Sequence, residues 1–126
     1  DIAGAGAAGG LAFGLMAGAG ARLVPGFDLV SEWLALEERL ARADVVVTGE
    51  GRFDGSSLQG KGPGALVRAA LAAGKPVHVF AGRVDATAGA GLALHEITPR
   101  DVPLVRAMAE AGERLRACAE GVFARA

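Results

Sequence analysis

Asp44-Val-Val-Val-Thr-Gly-Glu-Gly-Arg-Phe-Asp-Gly-Ser-Ser-Leu-Gln-Gly-Lys-Gly-Pro63 is the stretch on which the reading of this chain turns. Its opening run, Val45 to Thr48, is short, apolar and β-branched, the composition of a strand buried on both faces. The sequence then becomes abruptly polar. Glu50, Arg52, Asp54 and Lys61 are interleaved with Gly49, Gly51, Gly55, Gly60 and Gly62, and Gly62-Pro63 opens a helix. Charge of both signs is thus concentrated just past the carboxyl end of a strand, where open α/β sheets present their ligands.

The residue types suit phosphate chemistry. Glycine lets backbone N–H groups approach an anion closely, and a following helix N-terminus adds unpaired donors. Lys61 and Arg52 can neutralise phosphate charge. Glu50 and Asp54 can hold Mg²⁺ through oxygen or accept a proton from a substrate hydroxyl. These are the parts that phosphoryl transfer requires. Gly55, Gly60 and Lys61 also fit G-x-x-x-x-G-K, but Gly62 and Pro63 occupy the positions where a P-loop places its Mg²⁺-binding Ser or Thr, so that motif is rejected. The bland alternative is a long surface loop of solvated charges.

Outward from this stretch, the helix expected from Pro63 to Ala73 is well marked: Pro63 suits its first position, Gly74 the left-handed cap, and Pro76 blocks continuation. Val77 to Ala81 is a second buried strand, so the segment reads as a βαβ unit with parallel strands. Gly82, Arg83 and Asp85 follow at the same edge, with Arg83 either a phosphate contact or a surface charge. His78 reads as a structural histidine, and Leu92 to Ile97 as a third strand with His95 at an edge. Apolar spacing predicts one helix from Asp28 to about Arg42, with Trp33 in the core, and another from Pro103 to Arg125.

The first 24 residues read as a separate glycine-rich helical segment. Gly6, Gly10, Gly14 and Gly18 would line one face of a helix. Gly4, Gly6 and Gly9 spell G-x-G-x-x-G without the strand and acidic residue that a dinucleotide site needs. They read equally as an anion-binding turn or as a turn feeding a packed helix. Ile2 to Ala21 carries no charge, but it is mostly Ala and Gly and no basic residue precedes it, which argues against a membrane span or signal peptide.

Four blocks resemble one family in the same order: Gly4-Ala-Gly-Ala-Ala-Gly-Gly, Thr48-Gly-Glu-Gly-Arg-Phe-Asp-Gly with Gly60-Lys-Gly-Pro, Phe80-Ala-Gly-Arg-Val, and Ile97-Thr-Pro-Arg. The chain resembles the carboxyl-terminal portion of the bacterial glycerate kinases. Phe53 and Gly62 depart mildly from the family pattern, where Leu and Ala are commoner. The resemblance implies an α/β, Rossmann-like three-layer domain with a mainly parallel sheet over residues 25–126. Residues 1–24 would then belong to the neighbouring domain of a two-domain kinase. It implies transfer of the ATP γ-phosphate to a hydroxyl of glycerate, with Mg²⁺, in the cytoplasm. Glu50, Arg52, Asp54 and Lys61 are then the catalytic candidates, with Glu50 and Asp54 as metal ligands. Gly4, Gly6, Gly9, Gly49, Gly51, Gly60, Gly82 and Arg83 are the substrate or phosphate contacts. The alternative function is a non-catalytic Rossmann-like module that binds a nucleotide or phosphometabolite.

Composition agrees with one domain's worth of core built from small residues: 52% of the 126 residues are hydrophobic, but only five are Phe, one is Trp and none is Tyr. A net charge of −1 without a basic stripe argues against nucleic acid. The single cysteine, Cys118, reads as a core thiol in a reducing compartment. A chain beginning at Asp1 rather than Met suits a portion of a longer protein, whose remainder is the expected partner; homo-oligomerisation stays open.

Overall fold

The strand that opens at the valine run does not end at Thr48. In the computed structural model, which describes residues 2–59 and 62–124, β1 spans Val46–Asp54 and β2 spans Val77–Asp85. Most of what reads as a glycine-rich loop is therefore extended backbone. The physical reason is mutual pairing. The two strands run parallel from Val46 opposite Val77 to Asp54 opposite Asp85, so each satisfies the other's backbone groups. Glycine ordinarily weakens a strand, but it also marks close backbone approach. A Cβ on Gly82 would stand 2.7 Å from the carbonyl oxygen of Gly51.

β3, Leu92–Glu96, pairs parallel with β2, giving the order β1-β2-β3. β1 is thus an edge of the described sheet, and Val47 is 51% exposed, contrary to the expectation of a strand buried on both faces. Between β1 and β2 runs α4, Gly62–Ala72, which ends as its sequence predicts. Gly74 has φ of 71°, its N–H donates to the Leu71 carbonyl, and the Lys75 N–H donates to the Ala70 carbonyl. That pair of bonds is the Schellman motif, which satisfies the last carbonyls of the helix. The core gathers Leu40, Val46, Phe53, Val67, Ala70, Val77, Val79 and Ala81 between α4 and the sheet. Val46 and Phe53 both belong to it, although their odd spacing puts them on opposite faces of an ideal strand. The register skips Gly51 opposite Gly82 between them, and we place the change of facing there.

Two expected helices are each divided in two. Asp28 to Arg42 becomes α2, Gly26–Trp33, and α3, Leu36–Arg42, because Ala35 adopts φ of 47°. The apolar stripe is broken with it: Leu40 is buried, but Trp33 is 73% exposed rather than in the core. The carboxyl-terminal helix becomes α5, Leu104–Ala109, and α6, Ala111–Phe123, separated at Glu110. Glu110 accepts from Arg106 Nε at 2.7 Å and from Arg114 at 2.5 Å, and these two guanidiniums hold its carboxyl below the ordinary value.

The chain divides into two compact units, Asp1–Ala35 and Leu36–Ala126. Within the first, α1 spans Ala7–Ala19, but Ala8, Gly9 and Gly10 have φ of 51°, 68° and 87°. The four-residue glycine repeat therefore does not lie along one regular helix. No described helix is long and apolar enough to cross a membrane.

Across the sheet from α4, His78 Nδ1 and His95 Nε2 share a hydrogen bond of 3.0 Å; the His95 ring stacks on Phe80, and the His78 ring lies tilted against Phe123. Burial, then the neighbouring His78, lowers the pKa of His95 from its ordinary 6.5. A depressed folded value means that the unfolded chain binds the proton more readily. The contribution to stability is present above pH 6.5 and is lost as pH falls through the window below it. Lowering the pH from about 7.5 to about 5.5 should therefore lower the stability of the α/β unit. The dependence should disappear in His95→Phe, read as urea midpoints at the two pH values. An unchanged dependence in that variant would assign it to other groups.

Candidate active site

The parallel register sets like charges side by side at the carboxyl ends of the strands, Arg52 beside Arg83 and Asp54 beside Asp85. Adjacent like charges repel, so the side chains pair across the ladder instead. Arg52 Nη2 lies 2.9 Å from Asp85 Oδ2, and Arg83 Nη1 lies 3.2 Å from Glu96 Oε1. Arg100, from the segment after β3, joins the two halves. It lies 3.7 Å from Asp85 Oδ1 and 3.2 Å from Glu96 Oε2, and it also donates to the Val84 carbonyl. Asp54, Arg52, Asp85, Arg100, Glu96 and Arg83 thus form a continuous chain of alternating sign along the sheet edge. The Val84 N–H, which donates to Glu96 Oε2 at 2.9 Å, is the main reason that the Glu96 carboxyl is held below its ordinary value, with Arg100 and Arg83 adding to it.

The turn after β1 fixes the first member of this chain. Asp54 Oδ1 accepts from the Ser56 N–H at 2.8 Å and from Ser56 Oγ at 2.7 Å, an Asx turn, while Oδ2 faces Arg52 Nε at 3.6 Å. Ser57 is fully buried. Its Oγ accepts from the Asp54 N–H at 3.2 Å and donates to the Arg52 carbonyl at 3.4 Å, tying the turn back to the strand. The result is a carboxylate whose position is set from two sides before any ligand arrives.

The expected residues are distributed as follows. Arg52 and Asp54 are together at the end of β1. Glu50 stands two residues earlier on the same strand, opposite Ala81, with its Oε2 buried. Gly49 and Gly51 are on β1, and Gly82 and Arg83 on β2. Gly60 and Lys61 lie outside the described residues. Gly4, Gly6 and Gly9 are in the amino-terminal unit, where Gly4 and Gly9 have positive φ. Ser56, Ser57 and Glu96 were not anticipated as site residues. The Asp-Gly-Ser spacing at Asp54 carries the signal for the Asx turn, whereas nothing local to Glu96 announces its place.

Among the described residues, no group of three or more His, Cys, Asp and Glu side chains is arranged to hold a metal ion. Mg²⁺ in phosphoryl transfer rarely needs such a cage, because one or two carboxylates and the substrate phosphates complete its shell. Glu50 and Asp54 are donors of that kind. Beside the ionic chain lies a cavity of about 480 Å³, with Gly51, Arg52, Gly82 and Arg83 in its lining.

A parallel α/β sheet with paired cations and carboxylates at its carboxyl edge defines a class of anion-handling domain. Comparison with known proteins makes the assignment narrower. The model of the glycerate kinase family matches residues 1–126, and the chain belongs to that family. It is 38% identical to the glycerate kinase of Halalkalibacterium halodurans, covering 97% of this chain and 33% of that protein. It is also 38% identical to the Bacillus subtilis glycerate kinase, covering 98% and 34%. The Escherichia coli glycerate 2-kinase is 43% identical over 89 residues, 71% of this chain. A solved structure from Salmonella typhimurium LT2, assigned as glycerate kinase 2, superposes with a TM-score of 0.72 at 38% identity, over 99% of this chain and 33% of that one. The chain therefore spans about a third of the length of these full-length relatives.

Proposed function

We propose that this chain is the carboxyl-terminal α/β part of an ATP-dependent glycerate kinase of the cytoplasm, with the glycine-rich segment 1–24 contributing to the neighbouring domain. The observation that carries the reading is the fixed Asp54 carboxylate, set by Ser56 and paired with Arg52, which together with Arg83 lines a cavity. In the reaction, the attacking hydroxyl of glycerate gives its proton to a carboxylate as its oxygen bonds to the γ-phosphorus. The bond from that phosphorus to the bridging oxygen breaks, and ADP leaves. Glu50 and Asp54 are the candidates for taking the proton and for holding Mg²⁺, which would supply charge neutralisation when bound. The change of facing at Gly51 turns them to opposite faces of β1, so one of the two, and not both, serves the reacting centre. Arg52 and Lys61 balance the remaining phosphate charge. Gly49, Gly51, Gly60 and Gly82 let the backbone approach substrate and phosphate oxygens closely, and Gly4, Gly6 and Gly9 are separate candidates within the amino-terminal unit.

The test is an assay of ADP formation by the complete enzyme. Expected is ADP release only when ATP, Mg²⁺ and glycerate are all present, with phosphoglycerate formed in equal amount. ATP binding with no response to glycerate overturns the kinase reading and favours a nucleotide-binding module.

A further inference from the structure

The ionic chain accounts for only one side of the cavity beside it. The opposite wall is apolar and comes from the short helix α5 and its approach: Val102, Leu104, Ala107 and Met108, with the buried Thr98 adding a hydroxyl. Leu104 and Met108 are 73% and 70% exposed, although both are large apolar side chains facing a concave surface. The volume of about 480 Å³ lies within the usual range for small-molecule sites of roughly 300–1,000 Å³.

The two reactants of the proposed function differ in what they could gain here. Glycerate is a three-carbon acid with a hydroxyl on each remaining carbon, so it has no apolar face to bury. A nucleotide has a planar base that can be covered on both sides and a phosphate tail that needs cations. Met108 suits the first requirement, because its flexible, polarisable thioether adapts to an aromatic ring. Arg52 and Arg83 suit the second. Each is held by a carboxylate, at 2.9 Å and 3.2 Å, and each guanidinium has five N–H donors, of which these contacts use only some.

We infer that this cavity is the nucleoside subsite, in which the base and ribose of a nucleotide rest against Val102, Leu104, Ala107 and Met108 while its phosphates run toward Arg52 and Arg83. The inference rests on the kinase reading for the identity of the ligand, and it gives α5 a binding role beyond covering the sheet. Val105 supplies an internal control. It is 84% exposed on the same helix, and it does not line the cavity.

The test uses the complete enzyme, with ADP binding followed by calorimetry and KM measured separately for ATP and glycerate. Met108→Asp should raise the ADP Kd and the ATP KM at least about tenfold, with the glycerate KM within about two-fold. Leu104→Ala, which adds no charge, should weaken ADP several-fold, and Val105→Asp should behave as wild type. ADP affinity unchanged in both Met108→Asp and Leu104→Ala overturns the inference, as does a loss shared equally by glycerate, or a wild-type enzyme that does not bind ADP. An enzyme that binds ADP in this pattern but leaves glycerate unphosphorylated retains the subsite and loses the kinase reading.

Discussion

Gly64→Ala is expected to destabilise the α/β unit by about 3 kcal/mol or more, a large effect for the addition of one methyl group. Gly64 is buried in the first turn of α4, and a Cβ there would stand 1.8 Å from the Ser57 carbonyl oxygen, 2.5 Å from its carbon and 2.9 Å from Leu58 Cα. All three are backbone atoms, so no side-chain rotation can relieve the clash. Either α4 must lift from the sheet or the 3-10 turn Ser57–Gln59 must move. The first option opens the core around Val67 and Ala70, and the second pulls Ser57 from its bonds to the end of β1. Gly55→Ala is the matched control. No atom lies within 4 Å of a Cβ at that position, and the change should stay within about 0.5 kcal/mol. Denaturant unfolding of the two variants measures the difference, and equal midpoints would mean that the turn and α4 separate without cost.

Asp54→Asn should lower the kcat for glycerate-dependent ATP consumption by roughly 10²–10⁴-fold, the usual contribution of a positioned acid or base. The asparagine oxygen can still accept from Ser56, so the turn should persist. On the proposed reading, the lost charge removes either the proton acceptor or a metal ligand, and both roles would be exercised in the transition state. Its ion pair with Arg52 involves a side chain that is 66% exposed, and such pairs contribute at most about 1 kcal/mol. The fold should therefore survive while turnover does not. Activity retained within a few-fold would show that Asp54 only shapes the turn. A substitution that lowers kcat and kcat/KM together identifies an interaction made in the transition state, so both constants should be measured.

Much of this architecture is legible in the amino-acid order, and the gaps have physical causes. The βαβ unit and the caps of α4 are written locally, in β-branched runs and in Pro63, Gly74 and Pro76, and the third strand in the alternation of Leu92 and Leu94. The carboxyl halves of β1 and β2 are not, because Gly49-Glu-Gly-Arg and Gly82-Arg are loop-like by propensity. They become strands only because each pairs with the other, a non-local fact. The breaks at Ala35 and Glu110 are hidden for the opposite reason: apolar spacing continues across each interruption, so a periodicity argument runs straight through. At the candidate site, Arg52, Asp54 and Arg83 stand out by type and position. Asp85, Glu96 and Arg100 acquire their place from strand register, since only the alignment of β1 with β2 puts Arg52 beside Arg83 and requires carboxylates to separate them.

The alternating array at the sheet edge sums to nothing: Arg52, Arg83 and Arg100 against Asp54, Asp85 and Glu96. Seen from beyond a Debye length of about 8 Å at physiological ionic strength, such an arrangement is almost invisible. It cannot draw a polyanion in from bulk solution as a one-signed funnel does. On the proposed reading, these six side chains would lend a nucleotide no long-range guidance, and their discrimination would begin only on contact.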